Sequence, residues 1–247
     1  MAAPHASPEP GRSPGAGAGG GWRAFLGCSV PVLCWEFLRR NPDYRDNFAA
    51  MARGDAVLQD GWGLAAPADP DLSANDAAVV WRADAAPALV VPMEHRSFGR
   101  PRATVLDRGK LVGQGSERHV RLPSGLQVHL GGEAAPAGPL VVVLGYDADF
   151  ALRVRAVEAL RRAEHTDTPP RSRLSAAQRE RLARALVALD GVQQGETYRD
   201  IAHKLFGDHD DLGDFKGSSL RDVTIRLVRR GRALMRGGYL KLLRGGF

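Results

Sequence analysis

The spacing of apolar residues predicts helices near the start of the chain and again in its last third. In "WEFLRRNPDYRDNFAAMA" the apolar positions keep helical spacing on both sides of a break at Asn41-Pro42. Proline is favoured at the first position of a helix and asparagine caps helix starts, so a new helix is predicted to begin at Pro42 with Asn41 as its cap. Two short helices, or a corner like that of a helix-turn-helix, are therefore expected.

From about Gly61 to Asp147 short β-branched runs replace the helical pattern. Turns rich in Gly, Pro and Asp separate them, which predicts a small antiparallel sheet or meander. His119 and His129 lie in two of these runs and are interpreted as sheet-surface residues, because no acidic or Cys partners accompany them. The predicted strands are "AVVW" (78–81), "ALVV" (88–91), "ATVL" (103–106), "RHVRL" (118–122), "LQVHL" (126–130) and "LVVVLGY" (140–146).

A helix is predicted next, over residues 150–163, and it is followed by a break. The double proline in 164–174 cannot continue a helix, so this segment is predicted to be a linker between domains. The helix before it has its apolar stripe at Leu152, Val154, Val157 and Leu160.

Beyond the linker the first of three helices has recognisable ends. Ser175 is its predicted cap, Gln178 completes a capping box, and Gly191 supplies the stop. Its predicted buried face consists of Leu182, Leu186 and Leu189.

The second helix is predicted to begin after Thr197, with Asp200 as the capping acid, and to end at Gly207. Short and capped, it resembles the first helix of a helix-turn-helix unit. The segment "DHDDLGDFK" that follows fails the pattern of a calcium loop and is interpreted as a solvated acidic loop.

The third helix is predicted in "SSLRDVTIRLVRRGRALMRGGYL", with Ser218 or Ser219 as its cap. On a helical wheel four of its six arginines and Ile225 share an arc of about 80°. Arg226 and Arg230 fall outside that arc, at the border of the apolar face, and are interpreted as structural. The arginines of the arc are Arg221, Arg229, Arg232 and Arg236, and the predicted apolar face is Leu220, Val223, Leu227 and Leu234.

Two glycines mark the end of this pattern. Gly231 falls near the apolar side of the helix, where it would let another helix approach closely. After Gly238, "YLKLLRGG" is predicted to form a short hairpin strand or a final turn, from which Tyr239, Lys241 and Arg244 could contact a nucleic-acid backbone.

Charge is concentrated in the same region. The chain carries a formal net charge of +6, and residues 175–247 hold 14 Lys or Arg against 9 Asp or Glu. From Ser218 to Phe247 there are eight bases and one acid, Asp222. However, 30 of the 34 bases are arginines, a bias that GC-rich codon usage would produce without any role in binding phosphate.

Several classes of protein are disfavoured. The longest apolar run, "PLVVVLGY", is too short to cross a bilayer, and the first residues lack the pattern of a secretory signal, so a cytoplasmic protein is expected. Cys28 and Cys34 are interpreted as reduced and buried. No nucleophile elbow, Walker loop or paired-histidine zinc motif occurs, so neither enzymatic activity nor a cofactor or metal is predicted.

These observations together predict an α+β protein with five segments. It has an N-terminal helical segment (22–60) and a small antiparallel β region ending in a helix (61–163), followed by a three-helix helix-turn-helix domain (175–247). Residues 1–21, rich in Gly, Ala and Pro, are predicted to be a disordered tail, and 164–174 is the linker.

The leading hypothesis is that the third C-terminal helix binds double-stranded DNA in the major groove. Outer faces of helices usually mix positive and negative charges, because like charges at i, i+4 repel. The outer face of this helix is almost entirely basic, which favours a negatively charged ligand such as DNA. The alternatives are a solvated basic face, an acidic protein partner and, more remotely, RNA. The residues predicted to contact DNA are Ser218, Ser219, Arg221, Ile225, Arg229, Arg232, Arg236 and Lys241.

"ETYRDIAHKLFG" with "SSLRDVTIRLVRRGRALMRGGYLKLL" resembles a bacterial domain that is common in alphaproteobacterial mobile elements, and "WEFLRRNPDYRDNF" resembles the small N-terminal domain that accompanies it. This resemblance implies a transcriptional regulator, since the family includes activators of integrative-element excision. It also implies a small homologous antiactivator as a possible partner, or that the chain is itself such a protein-binding module without DNA binding. The family motif falls on Tyr198, Ile201, Ser219, Leu220, Arg221, Arg229, Arg230 and Gly238.

Overall fold

The computed structural model describes residues 21–96, 105–113, 118–131, 139–166, 174–207 and 215–246. The predicted tail and most of the predicted linker lie outside these residues, as does most of the predicted acidic loop. The division into domains therefore stays a prediction. In the described part of the chain, no helix is both long and apolar enough to cross a membrane.

The N-terminal segment contains the two helices that the sequence predicts. Helix α1 spans Val30–Leu38 and α2 spans Pro42–Ala52. The Asn41 side chain accepts a hydrogen bond from the backbone N–H of Asp43, which confirms the predicted cap. Trp35 and Tyr44 are fully buried and pack edge to face, with ring centroids 5.9 Å apart.

The last third of the chain is helical. Helix α4 spans Ala176–Gln193, α5 Tyr198–Phe206 and α6 Ser219–Ala233, and the three helices contact one another. The capping boxes predicted at Ser175 and Thr197 are both formed, and Ser218 caps α6. These ends were predictable because each cap is a local pattern of a few residues.

The predicted stop at Gly191 is wrong. Helix α4 continues through it, and a Cβ atom there would lie 2.7 Å from Cγ1 of Ile201 in α5. Gly191 is therefore a packing glycine, and Gly195, with a φ of +79°, makes the left-handed turn that follows the helix.

Of the two alternatives predicted after Gly238, the hairpin strand is wrong, because the segment is a short helix that ends in a turn at residues 244 and 245. A kinked segment, Leu234–Gly238, leads into helix α7, Tyr239–Leu243. The Tyr239 side chain is buried and its hydroxyl donates a hydrogen bond to the carbonyl oxygen of Trp62 at 2.9 Å, so it cannot contact a nucleic-acid backbone as predicted. Burial also raises the pKa of this hydroxyl.

One hydrophobic core joins the N-terminal segment to the C-terminal helices. Helix α1 packs on α7, and the thiol of Cys34 donates to the carbonyl oxygen of Tyr239 at 3.4 Å. The side chain of Asn41 donates to the carbonyl oxygen of Met235 at 3.1 Å. Both cysteines are free, Cys34 is buried and Cys28 half-buried, and burial raises the pKa of each thiol.

The middle of the chain forms a five-stranded sheet with the order β2-β3-β4-β1-β5. The predicted antiparallel arrangement is wrong at the centre, where β1 pairs with β4 in parallel. A parallel pair needs a long crossover, and here the connection that contains β2 and β3 supplies it. The strands are β1 Val90–His95, β2 Lys110–Val112, β3 Arg118–Arg121, β4 Gln127–Gly131 and β5 Leu140–Val142.

Three details of the strand prediction need correction. Residues 78–81 form no strand but an isolated antiparallel bridge between Trp81 and Leu64. The side chain of Gln127 accepts from the backbone N–H of Trp81 at 2.8 Å and donates to the carbonyl oxygen of Val79 at 3.1 Å. Residues 105–108 form a 3-10 turn, while 103 and 104 lie outside the described residues. His119 is buried rather than on the sheet surface, and its ring stacks on that of His129 with centroids 4.7 Å apart.

Helix α3 spans Phe150–Ala163, as predicted, and covers the sheet. Its buried face differs from the predicted stripe, because small alanines and Arg153 turn inward while Leu152 and Val154 are half-buried. Together with the sheet it forms a second core, which includes Val91, Val120, Val128, Ala156, Ala159 and Leu160.

Candidate nucleic-acid interface

Helix α6 is held at its start by a serine cap. The Ser218 hydroxyl accepts from the backbone N–H of Arg221 at 3.4 Å and donates to the carbonyl oxygen of Phe215 at 3.1 Å. The hydroxyl predicted to face DNA is thus engaged within the helix cap, whereas the next side chain, Ser219, is exposed.

The buried side of α6 is rotated from the predicted one. Thr224, Val228 and Gly231 are buried with Leu227, while Leu220 and Val223 lie half-buried at the edge. Thr224 can enter the core because its hydroxyl donates to the carbonyl oxygen of Leu220 at 2.7 Å. A polar residue inside the core satisfies its hydrogen bond with its own helix, which an apolar wheel does not reveal.

Gly231 sets the distance between α6 and α4. A Cβ atom at this position would lie 2.6 Å from the carbonyl oxygen of Ala185 and 3.0 Å from Cβ of Leu189. The close approach predicted for this glycine is therefore confirmed.

The outer side of α6 presents the arginines that the wheel placed on one arc. Arg221, Arg229 and Arg232 are exposed, and Ile225 is half-buried among them. Arg236 is also exposed but lies in the kinked segment beyond α6, where its ψ of +27° departs from helical geometry. Lys241 is exposed on α7.

In the part of the chain that the structure describes, this outer surface has little compensating negative charge. The Asp222 carboxylate lies 4.0 Å from the Arg221 guanidinium, at the limit of an ion pair between exposed side chains. Among the described residues, no carboxylate pairs with Arg229, Arg232 or Arg236. The outer side of α6 is therefore a surface of mostly one sign.

A second basic surface was missed by the sequence analysis. Arg226 and Arg230, predicted to be structural, line a groove of about 580 Å³ between α6 and α4. Arg226 is exposed and Arg230 half-buried. Two arginines of α4 face them, Arg181 and Arg184, and Glu180 is the one acid among the lining residues that the structure describes.

The two arginines of α4 in this groove have different surroundings. The Arg184 guanidinium lies over the rings of Trp22 and Phe206, 4.6 and 5.1 Å from their centroids, and pairs with Glu180 at 2.6 Å. Arg181 is exposed and acts on Arg230: burial, and secondarily the positive charge of Arg181, lower the pKa of the Arg230 guanidinium. The spacing of α4 alone could have shown that 177, 180, 181 and 184 share one side of that helix.

The two parts of the chain that make up the helical core are similar to two known regulatory domains. Residues 143–244, from before α3 to the end of α7, match the family model described as "T6SS, Transcription factor, DNA binding domain". Residues 22–79 match the model described as "Proteobacterial transcriptional regulator-like domain". Among curated proteins, none matches the chain. Both matched models describe regulatory domains, and the one that covers α6 is a DNA-binding domain.

Proposed function

We propose that this protein is a DNA-binding transcriptional regulator whose helix α6 enters the major groove. The observation that carries the proposal is the outer side of α6, where Arg221, Arg229 and Arg232 are exposed opposite a buried face. The match of this segment to a DNA-binding domain of a transcription factor supports it.

The dimensions of α6 suit this role. Its 15 residues span about 22 Å, and the major groove, about 12 Å wide, admits a helix. In this arrangement α4, α5 and α6 act as a helix-turn-helix unit with α6 as the recognition helix. Ser219, Arg221 and Ile225 face base edges, where arginine pairs with guanine and an apolar side chain contacts a thymine methyl. Arg229, Arg232, Arg236 and Lys241 contact phosphates.

The charge of α6 also favours a polyanionic ligand. Arg229 and Arg232 are three residues apart on one helix side, where like charges cost a few tenths of a kcal/mol. Phosphates that neutralise these side chains relieve the repulsion and release counterions, which drives DNA binding. A helix surface on which like charges repel one another, and on which phosphates would relieve that repulsion, is typical of a nucleic-acid interface.

The genes under control are proposed to belong to a mobile element or plasmid. This part rests on the resemblance of "ETYRDIAHKLFG" and of the α6 segment to domains of mobile-element regulators. The same resemblance suggests a small homologous antiactivator as a regulatory partner.

The proposal is tested by mobility shift with the DNA upstream of the protein's own gene. The Arg229→Ala/Arg232→Ala variant should bind at least ~10-fold more weakly and lower the slope of log affinity against log salt by about 2, since each lost phosphate contact removes roughly 0.9. The matched control, Arg155→Ala/Arg161→Ala, removes two exposed arginines of α3 and should bind as the unaltered protein does.

Full affinity and an unchanged slope in the α6 variant would overturn the proposal. If the unaltered protein ignored both DNA and heparin at low salt but captured another regulator, the protein-binding alternative would be correct.

A further inference from the structure

The kinked segment between α6 and α7, Leu234–Gly238, turns the chain at one of the residues proposed to contact phosphates. Its backbone leaves helical geometry at Arg236, with a ψ of +27°, and at Gly237, with a φ of +109°. Such a φ favours glycine, because residues with a Cβ atom rarely adopt it. The direction in which Arg236 leaves the backbone therefore depends on this kink and not on α6 alone.

The kink also changes the hydrogen bonding of the backbone. In a regular α-helix the N–H of residue 239 bonds to the carbonyl oxygen of residue 235. Here the N–H of Tyr239 bonds to the carbonyl oxygens of Leu234 and Gly237 instead. Met235 is buried, so its carbonyl oxygen needs another donor in place of the one that a regular helix would supply.

Asn41 of the N-terminal segment is such a donor. Its side-chain amide donates to the Met235 carbonyl oxygen at 3.1 Å, and Asn41 is only 3% exposed. The oxygen of the same amide accepts from the backbone N–H of Asp43 and caps α2. One buried amide thus joins the start of α2 to the kink, across 194 residues of sequence.

The chain is fixed on both sides of the kink. Before it, α6 packs on α4. After it, the Tyr239 hydroxyl donates to the carbonyl oxygen of Trp62, and a Cβ atom at Gly63 would lie 2.8 Å from Cδ2 of Leu240. The N-terminal segment therefore holds α7 in place, and Asn41 holds the turn that precedes it.

We propose that Asn41 is a positioning residue for DNA binding, which holds the kink so that Arg236 contacts a phosphate beside the major groove. This inference rests on the function proposed above. A contact made by a segment that is already ordered costs less conformational entropy on binding than one made by a segment that must first be ordered. Asn41 thereby raises the affinity for DNA from a buried position, without touching DNA itself.

The experiment measures the affinity of the full chain for the DNA upstream of its own gene at several salt concentrations. Asn41→Ser keeps a residue that caps helices well and removes the donor to Met235. We expect about 3-fold weaker binding and a slope of log affinity against log salt that is lower by about 0.9, because one phosphate contact is lost. A variant that only reduced the folded fraction would keep the slope.

The matched control is Tyr44→Phe. It removes another buried hydrogen bond of the N-terminal segment, from the Tyr44 hydroxyl to the carbonyl oxygen of Ala68, and leaves the bond between Asn41 and Met235 in place. This variant should keep both the affinity and the salt slope of the unaltered protein. Circular dichroism of each variant at the assay temperature measures the folded fraction.

A double-mutant cycle tests whether Asn41 acts through Arg236. Arg236→Gln alone should lower the slope by about 0.9, and the addition of Asn41→Ser should lower affinity and slope no further. Gly237→Ala disturbs the kink independently and serves if Asn41→Ser does not fold. A Cβ atom at Gly237 would meet nothing within 4 Å, so only its φ of +109° opposes the change. We expect this variant to weaken binding and lower the slope as well.

An unchanged slope in Asn41→Ser, or in Gly237→Ala if the former does not fold, would overturn the positioning role. A full additional loss when Asn41→Ser is combined with Arg236→Gln would also overturn it. The Arg229→Ala/Arg232→Ala variant separates this result from a failure of the proposed function. If it binds weakly while Asn41→Ser keeps the slope, α6 binds DNA and Asn41 only supports the fold. If it keeps full affinity and slope, the proposed function fails and the positioning role fails with it.

Discussion

Arg40, in the turn between α1 and α2, and the arginines on the outer side of α6 have opposite electrostatic surroundings. Arg40 donates two hydrogen bonds to the carboxylate of Asp190, at 2.5 and 3.0 Å, and also pairs with Glu36 at 2.5 Å. Arg229 and Arg232 have no carboxylate partner among the described residues. In a chain so rich in arginine, the number of arginines says little, and the presence of a partner distinguishes those that hold the fold from those that are available to a ligand.

The largest effect is expected from Arg40, whose side chain is 11% exposed. Arg40→Met should lower the free energy of unfolding by about 3 kcal/mol, because it leaves the Asp190 carboxylate without its partner, whereas Glu36 keeps its ion pair with Arg39. Urea denaturation measures this change. The fraction that remains folded should bind DNA with unaltered affinity. Arg40 forms ion pairs with Asp190 and Glu36 and does not lie on the outer side of α6.

The matched control is Arg53→Met. Arg53 pairs with Asp55, but both side chains are 63% exposed, so the change should stay within about 0.5 kcal/mol. Equal losses in the two variants would mean that burial does not separate the structural arginines from the others.

A smaller effect is expected where α6 touches α4. Gly231→Ala should destabilise the fold by up to about 2 kcal/mol, because a clash of about 1–3 kcal/mol with the Ala185 carbonyl is offset by a gain of only about 1 kcal/mol in helix propensity. Calorimetric unfolding measures the difference. This contact sets the spacing of the groove that holds Arg181 and Arg230.

The control for Gly231 is the exposed neighbour Ala233. Ala233→Gly should cost about 1 kcal/mol from propensity alone. Stabilisation by Gly231→Ala would contradict the close approach, because it is the result expected for a glycine in an open helix position.

What the sequence could predict depended on local signals. The caps at Ser175, Thr197 and Ser218 and the start of α2 at Pro42 are each written in a few consecutive residues, and all four are confirmed. The outer arginines of α6 followed from a single periodicity within one helix. Such features depend on nothing elsewhere in the chain.

Features that depend on distant residues were missed. Gly191 lies inside α4 where Ile201 leaves no room for a Cβ atom, and the backbone of Val79 and Trp81 bonds to the side chain of Gln127, far along the chain. Tyr239 is in the core because the N-terminal segment packs there. The groove between α4 and α6 could not be predicted for the same reason. Arg226 and Arg230 line it only because α4 places Arg181 opposite them.

The smallest expected effect on stability tests most directly the comparison between Arg40, which has carboxylate partners, and the arginines on the outer side of α6. Arg229→Gln/Arg232→Gln should raise the free energy of unfolding by a few tenths of a kcal/mol at low salt, since it removes repulsion between like charges on one helix. In 0.5 M NaCl the gain should vanish, because the screening length then falls well below the roughly 10 Å of 0.1 M salt. The loss in Arg40→Met should change little with salt, because buried pairs are screened less. Urea denaturation at both salt concentrations measures the free energy of unfolding of the unaltered protein and of the two variants. A loss of stability in the α6 variant at low salt would mean that its arginines support the fold, and the distinction between the two groups would fail.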